Sequence, residues 1–423
     1  MYNHLEKIFV MMKIFKTPSI WMPIVFALMD MAGRIGNIGY TLYYPLLLIL
    51  AFISLKHKSR TDGIFGFYLL ACGMSILFNN IPSFYNIYVR FVAYILLFVA
   101  FTPLVNSRYA SVLRMRSIQY FCFFTVFIVG INFVFFKGGN ISAAQQQIYQ
   151  NVGMYVGSTG NNEMGALGAI SLAYLAGLLM YRKQFFNKVW IAVIGLFMVS
   201  NVAMLLMASS RSAVFCAFAA IISMIYVKNK QNLGSFAGIL LGFFFLIFVL
   251  YPFFTEYARG IIEFKQGGDL TAFDTNSRDV LWALRMKEFE SSPFWGIGFG
   301  TISDYNSWTI ASGGTVETGS SWCAALSQTG LLGTIPIVWI VGGNLKWLLF
   351  TKKEHDYLTV LLTGLTIFFT IHPISEGYFT TVGAILCVLF WTVQGIVYSL
   401  RKGVFKTSDI PLLVINQRKF RLF

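Results

Sequence analysis

The sequence carries few charges. Asp, Glu, Lys and Arg make up only 12% of its 423 residues, whereas hydrophobic residues make up 57%. An average soluble domain has about 25% charged residues. A soluble globular protein is therefore excluded, and the composition predicts an all-α integral membrane protein with many spans.

Cysteine and histidine are scarce as well. The chain has four histidines, no cluster of His and Cys, and no CxxC spacing. These absences argue against a metal centre and a disulfide framework, and no cofactor is predicted. The five cysteines lie in or beside apolar runs, so we interpret them as small buried hydrophobic residues: Cys72, Cys122, Cys216, Cys323 and Cys387.

Apolar runs long enough to cross about 30 Å of hydrocarbon predict about twelve transmembrane helices. The runs cover residues 18–38, 41–55, 62–79, 84–105, 118–136, 161–181, 188–207, 212–227, 234–254, 323–350, 357–371 and 379–399. The chain is accordingly divided into helices 1–9 (residues 1–254), one long periplasmic loop (255–322), and helices 10–12 with a basic cytoplasmic tail (323–423).

The distribution of positive charge predicts the topology. If the N-terminus lies inside, the inner segments carry 22 of the 32 Lys and Arg residues, the outer segments carry eight, and Arg90 and Lys346 lie within helices. This bias alternates along the whole chain and predicts that both termini are inside. The net charge of +15 thus reflects topology and contacts with anionic lipid, and it argues against nucleic acid as a partner.

The long outer loop, residues 255–322, holds nine of the chain's 17 carboxylates. Within it, Asn276 is placed to cap a helix that the Ser-Ser-Pro sequence at 291–293 would end. The apolar side of that helix would be formed by Leu281, Trp282, Leu284, Met286 and Phe289. We expect an amphipathic helix that lies on the outer membrane surface or against the helix bundle.

Arg211 lies at the outer membrane boundary, against the charge bias of the rest of the chain. An arginine at that depth needs an anionic partner. In one interpretation its side chain reaches the membrane surface or pairs with a carboxylate of the loop. In the other it binds a phosphate group, because the planar guanidinium group matches the geometry of phosphate oxygens.

Arg278 and Arg285 lie seven residues apart and share one face of the predicted helix. They either belong to a solvated face together with Asp279 and Glu288, or they bind an anion. The glycine-rich run at 296–300 lacks the GxGxxG spacing of a dinucleotide site. It forms a tight turn, or it lets a ligand approach the backbone closely.

Two residues are candidates for a general base. Glu317 precedes the tenth predicted helix, where it could take a proton from a sugar hydroxyl or serve as an acid at a helix start. His372 is the one histidine on the predicted outer side, and it could be a base or a polar residue at a helix end. The outer segments contain no DxD motif, so no catalytic metal is predicted.

Five motifs resemble the bacterial O-antigen ligase and polymerase superfamily, and within it the Wzy-type polymerases. They are GSTGNNEMGA (157–166), SSR (209–211), SRDVLWAL (277–284), SPFWGIGFG (292–300) and SQTGLLG (327–333). Their order, spacing and predicted outer placement fit that family, and the likeness covers roughly residues 155–345. Many relatives carry a histidine before the helix that starts here near Trp322, whereas this chain has GTVETGSSW (314–322).

The resemblance implies a metal-independent glycosyltransferase in the inner membrane of a bacterium. It would join polyprenyl-pyrophosphate-linked repeat units into a surface polysaccharide, so that the lipid-linked glycan is both donor and acceptor. Arg211 and Arg278 would stabilise the pyrophosphate leaving group, and Glu317 or His372 would be the base. Further implied partners are membrane lipid and a chain-length regulator. The substrate-binding candidates are Asn161, Asn162, Ser210, Trp282, Arg285, Gly298 and Glu376.

Two alternatives remain open. An O-antigen ligase belongs to the same superfamily, but the missing histidine weighs against it. A transporter or flippase for the same lipid-linked glycan usually shows internal repeats and charges at the bilayer midplane. Here no repeat is visible, intramembrane charges such as Asp30 and Arg90 are few, and the polar residues gather in the outer loop.

Overall fold

The computed structural model shows a bundle of α-helices. It describes residues 38–55, 60–78, 86–135, 161–182, 186, 188–208, 210–232, 234, 237–238, 241, 277–301, 303, 319–352 and 356–410. Within these ranges six helices are long and apolar enough to cross a membrane, and four further apolar helices are shorter. The fold is therefore that of a helical membrane protein.

Eleven helices are used below to place the site. They are α1 (Ile38–Leu55), α2 (Gly63–Leu77), α3 (Ile87–Phe101), α4 (Arg108–Phe135), α5 (Asn161–Met180), α6 (Lys188–Met207), α7 (Arg211–Lys228), α8 (Ser277–Ser291), α9 (Ser321–Lys346), α10 (Tyr357–Ile371) and α11 (Ile385–Arg401). Short turns of other helix types follow α9 (Trp347–Thr351), α10 (His372–Ile374) and α11 (Thr407–Asp409).

Ten of the predicted spans coincide with helices, and α8 is the predicted amphipathic helix of the long loop. Of the two other spans, 18–38 lies outside the described residues apart from its last position, and 234–254 lies outside them apart from a few isolated positions. The number of twelve spans stays a prediction for that reason.

Helix α11 lies at the centre of the bundle, in contact with α3, α4, α9 and α10. Nearly all of its side chains are buried, including the polar side chains of Thr392, Gln394 and Ser399. Trp391 packs its ring against those of Phe98 and Phe390. In this core, Asn344 Nδ2 of α9 donates to the Gln394 backbone carbonyl and to Gln394 Oε1, both at 2.9 Å.

Helix α4 begins about ten residues before the predicted span 118–136, so most of the segment 106–117, which the predicted spans leave as a connection, is helical. The Ser107 hydroxyl accepts a hydrogen bond from the Ala110 amide and caps the start of the helix. Arg114 is buried and donates to the carbonyls of Ala100 and Val105, both at 3.0 Å. It thereby satisfies carbonyl groups that the C-terminal end of α3 leaves without partners.

The helices run alternately between two ends of the bundle, which differ in character. At one, the basic end, Lys228 donates to the carbonyl of Met180, and Lys230 donates to that of Leu349 at 2.9 Å, so both lysines cap helix C-termini. The other, the polar end, is formed by α8, the turn 292–301, the start of α9 and the connection 372–384. The candidate site residues that the structure describes lie at the polar end.

Candidate functional site

Helix α8 lies against α9, which is one of the two positions expected for the amphipathic helix. Its buried side is formed by Leu281, Arg285 and Glu288, spaced four and three residues apart along one face. Met286, assigned to the apolar stripe, is exposed, as are Lys287 and Glu290. The helix is therefore held to α9 by a hydrogen bond, which the Ser327 hydroxyl donates to the Glu288 carboxylate, as well as by apolar contacts.

Arg285 and Glu288 form an ion pair of 2.7 Å in which both side chains are fully buried. The Glu288 carboxylate also accepts hydrogen bonds from the Ser303 hydroxyl at 2.7 Å and the Ser327 hydroxyl at 2.6 Å. Burial lowers the pKa of the Arg285 guanidinium, and the adjacent Glu288 carboxylate opposes that shift. The alternative of a solvated face is wrong for these two residues. Arg285, a substrate-binding candidate, already has an anionic partner in the interior.

The glycine-rich turn brings two backbones together. Gly296 and Gly298 have positive φ, and so does Gly330, where α9 is interrupted. The amides of Ile297 and Gly298 donate to the carbonyls of Ser327 and Gln328, at 2.8 and 3.2 Å. In return the amides that follow the break, Leu331 and Leu332, donate to the carbonyls of Pro293 and Phe294 at 2.9 and 3.2 Å.

These glycines are required by the close approach of the two segments. A Cβ atom on Gly296 would overlap the Gln328 carbonyl carbon, and one on Gly330 would overlap the Phe294 carbonyl oxygen. Of the two readings of the run 296–300, the structure supports a tight turn, and the backbone that approaches it is that of α9. The amide of Gly298, a substrate-binding candidate, is used in this contact.

Arg278 and Glu376 form an ion pair across 98 residues of sequence, with 2.6 Å between Nη2 and Oε1. Their side chains are 21% and 15% exposed, so the pair lies at the rim of the polar end rather than in its interior. The start of α9 holds the segment that carries Glu376. The Ser321 hydroxyl donates to the Glu376 carbonyl at 2.6 Å and accepts from the Tyr378 amide at 2.8 Å.

His372 is fully buried just after α10. Its ring stacks on those of Phe368 and Tyr378, with centroids 4.8 and 5.8 Å away. Arg278 is close enough to interact with it electrostatically. The structure thus brings the candidates Arg278, His372 and Glu376 into one cluster.

This cluster contains buried polar atoms without a hydrogen-bond partner among the described residues. They are Arg278 Nη1, both ring nitrogens of His372 and the hydroxyl of Tyr378. A buried polar group that lacks a partner destabilises the fold by about 1–3 kcal/mol, and most such groups in proteins are paired. A concentration of them at one place, on side chains fixed by packing, is typical of a site that binds a polar ligand.

A second group of candidates lies at the starts of α5 and α7, where Gly165 packs against Ser210. Arg211 is the first residue of α7 and is exposed, while Ser210 before it is buried. Helix α7 contacts the turn His372–Ile374, so this group belongs to the same end of the bundle. Asn161 and Asn162 begin α5 as predicted.

The remaining candidates are placed as follows. The indole Nε1 of Trp282 donates to the Gly319 carbonyl at 3.2 Å, which holds its ring beside the start of α9. Glu317 lies outside the described residues. Four of the five cysteines are buried and Cys323 is partly buried, as interpreted from the sequence.

Sequence reasoning missed Tyr378, Ser321 and the role of Glu288. Tyr378 falls in a segment recognised as polar, but nothing in the sequence distinguishes it from the chain's other tyrosines. The sequence shows that Arg285 and Glu288 are three residues apart on one helix, but their burial depends on the packing of α8 against α9. In the part of the chain that the structure describes, no group of three or more His, Cys, Asp or Glu side chains is arranged to hold a metal ion.

No protein-family model matches the chain, and no curated protein sequence matches it significantly.

Proposed function

We propose that this chain is a Wzy-type polysaccharide polymerase. It joins polyprenyl-pyrophosphate-linked repeat units into a surface polysaccharide at the outer face of the bacterial inner membrane. The observation that carries the proposal is the state of Arg278, whose Nη2 is held by Glu376 and which interacts electrostatically with His372. Its Nη1 is buried and has no hydrogen-bond partner among the described residues. The motif resemblance supplies the chemical class, and the cluster supplies side chains suited to it.

The polar end faces the periplasm in this proposal, and the basic end faces the cytoplasm, with about twelve spans and both termini inside. The support comes from the charges. The basic end carries Lys228, Lys230, Lys352 and Arg401. The positive-inside rule assigns an end rich in lysine and arginine to the cytoplasm. The aromatic and carboxylate residues of the cluster lie at the opposite end.

The leaving group is stabilised first. The pyrophosphate of the donor binds Arg278 through Nη1, while Glu376 keeps hold of Nη2 and fixes the direction of the guanidinium plane. Arg211 supplies a second cation from the start of α7. As the bond between the anomeric carbon and the pyrophosphate oxygen breaks, negative charge grows on that oxygen, and preorganised donors of this kind are each worth about 10²–10³ in rate.

The acceptor loses a proton in the same reaction. A hydroxyl of the acceptor's terminal sugar attacks the anomeric carbon, and its proton passes to a base. His372 is one candidate for this role, because its ring is held by stacking and its two nitrogens have no hydrogen-bond partner among the described residues. Glu317 is the alternative base. Trp282, Asn161, Asn162 and Ser210 are the candidates for contacts with sugar and headgroup.

Among the described residues, the break in α9 is a feature that favours a transporter, because discontinuous helices often bind the substrate in transporters. Its free backbone groups, however, are taken up by the turn 293–298. They are therefore not available to a substrate, which makes the break a structural joint and favours the polymerase.

The test uses purified protein in nanodiscs with a polyprenyl-pyrophosphate-linked repeat unit. We expect a ladder of longer lipid-linked glycans, with the rate reduced at least about 100-fold by Arg278→Ala and clearly reduced by Arg211→Ala. His372→Ala and Glu317→Gln identify the base. Lys287→Ala, an exposed change on the same helix as Arg278, is the matched control and should leave the rate unchanged.

Three results would contradict the proposal. A normal ladder with Arg278→Ala would remove that residue from the reaction. Movement of lipid-linked glycan across the bilayer without a ladder would make the protein a transporter. A single transfer to a lipid A–core acceptor without a ladder would make it a ligase.

A further inference from the structure

Tyr378 is buried in the cluster but is not used by the reaction described above. Its side chain is 3% exposed, and its backbone amide is fixed on the Ser321 hydroxyl at 2.8 Å. Its ring lies against those of His372 and Phe369, with centroids 5.8 and 6.4 Å away. Packing thus determines where the ring lies, while its hydroxyl has no hydrogen-bond partner among the described residues.

Other buried tyrosines of the bundle use their hydroxyls. The hydroxyl of Tyr94 donates to the Phe379 carbonyl at 2.8 Å, and that of Tyr398 donates to Asp62 at 2.9 Å. Tyr43 donates to the carbonyl of Val382. A buried tyrosine hydroxyl usually finds such a partner, whereas the hydroxyl of Tyr378 has none among the described residues.

The surroundings of Tyr378 indicate which kind of ligand fits. Glu376 is its electrostatic neighbour and is itself bonded to Arg278, which in turn interacts with His372. The four side chains therefore form a closed ring of neighbours. Burial raises the pKa of Tyr378 well above its ordinary value, with smaller contributions from Cys216 and Glu376, so the hydroxyl stays protonated and acts as a donor.

We propose that Tyr378 is a further ligand-binding residue of this site, whose hydroxyl donates a hydrogen bond to the phosphate group that Arg278 Nη1 contacts. The identity of that group as the pyrophosphate of a polyprenyl lipid rests on the proposed function. The same chemistry is offered by free pyrophosphate and by the phosphate of an anionic phospholipid, and the experiment separates these sources.

The test compares the wild type with Tyr378→Phe in nanodiscs of zwitterionic lipid. Polyprenyl pyrophosphate without any sugar is titrated, and binding is measured by native mass spectrometry and by the rise in melting temperature. We expect Tyr378→Phe to weaken binding roughly ten- to a hundredfold. The melting temperature without ligand should stay equal or rise, because the substitution keeps the ring and removes no hydrogen bond seen in the fold.

Tyr398→Phe is the matched control, since it removes a hydroxyl that is bonded to Asp62 at the basic end. It should lower the melting temperature and leave binding unchanged. In the double variant Arg278→Gln plus Tyr378→Phe, the loss of binding should be smaller than the product of the two single losses, because both residues contact one phosphate group.

Equal binding by Tyr378→Phe and the wild type would overturn the proposal. Competition by inorganic pyrophosphate would support it and show that the headgroup is what the site recognises. Tyr378-dependent binding of phosphatidylglycerol in place of the polyprenyl lipid would overturn the assignment to pyrophosphate. Binding that depends on Tyr378, without a glycan ladder, would refute the polymerase but not this inference. A ladder together with equal binding by Tyr378→Phe and the wild type would refute this inference but not the polymerase.

Discussion

The buried pair of Arg285 and Glu288 offers a sharp test of how α8 is held in place. The Glu288 carboxylate contacts Arg285 at 2.7 Å and accepts hydrogen bonds from the Ser303 amide (3.1 Å), the Ser303 hydroxyl (2.7 Å) and the Ser327 hydroxyl (2.6 Å). Glu288→Ala removes all of these contacts and leaves the guanidinium buried without an anion. Breaking a buried pair in this way destabilises a protein by about 3–5 kcal/mol, which is large beside a net stability of roughly 5–15 kcal/mol.

We expect Glu288→Ala to lower the melting temperature of the purified protein in mild detergent and to reduce its monodisperse fraction in size-exclusion chromatography. Lys287→Ala and Glu290→Ala, exposed on the same helix, should change the free energy of unfolding by less than about 0.5 kcal/mol. The double variant Arg285→Met plus Glu288→Leu removes both charges. It should therefore be more stable than Glu288→Ala, because no buried charge is left alone.

The reasoning would be refuted by a Glu288→Ala protein that melts like the wild type yet makes no polymer. The pair would then act on the substrate, as first expected for Arg285, and not on packing. A double variant less stable than Glu288→Ala would also contradict it, since the desolvation of the lone guanidinium would then not be the dominant loss.

Three further changes test other parts of the structure. Gly330→Ala should lose most folded protein, because its φ of 59° and ψ of −163° strain an alanine by about 1–3 kcal/mol and the Cβ has no space. Gly342→Ala in the same helix meets open space and should raise stability by up to about 1 kcal/mol. Equal melting temperatures for the two variants would contradict the docking of the turn on α9. Arg114→Lys keeps the charge but loses hydrogen bonds to carbonyls, so it should destabilise by about 1.5–3 kcal/mol in the same melting assay. Glu376→Gln should leave a neutral acceptor for Arg278 and lower kcat about tenfold, less than Arg278→Ala does; an unchanged kcat would show that Glu376 does not position the arginine.

The helices were largely predictable because a membrane span depends on a local property. A run of about 20 apolar residues satisfies the bilayer whatever its neighbours are. The predicted runs 188–207 and 357–371 match α6 and α10 residue for residue. The start of α4 was not predictable in this way. Arg114 resembles a residue of a basic loop, and only the carbonyls at the end of α3 explain why it is helical and buried.

The candidate site was predictable only in part. Its residue types, and the gathering of the described candidates at one end of the bundle, followed from charge and from motif resemblance. Helix α8 begins and ends where the sequence signals lie. Which side chains meet did not follow. Arg278 and Arg285 share a helical face, yet one reaches Glu376 at the rim and the other reaches Glu288 in the interior.

By itself the sequence determined a helical membrane protein, its asymmetry of charge and the amphipathic helix of the long segment. These depend on composition and spacing along a single stretch of chain. Tertiary structure alone decided that Arg278 pairs with a glutamate 98 residues away and that the Gly298 amide donates to α9. It also decided that the hydroxyl of Tyr378 lies in the cluster with no hydrogen-bond partner among the described residues. The physical reason is that burial and pairing are set by the neighbouring helices, and no pattern within one helix specifies its neighbours.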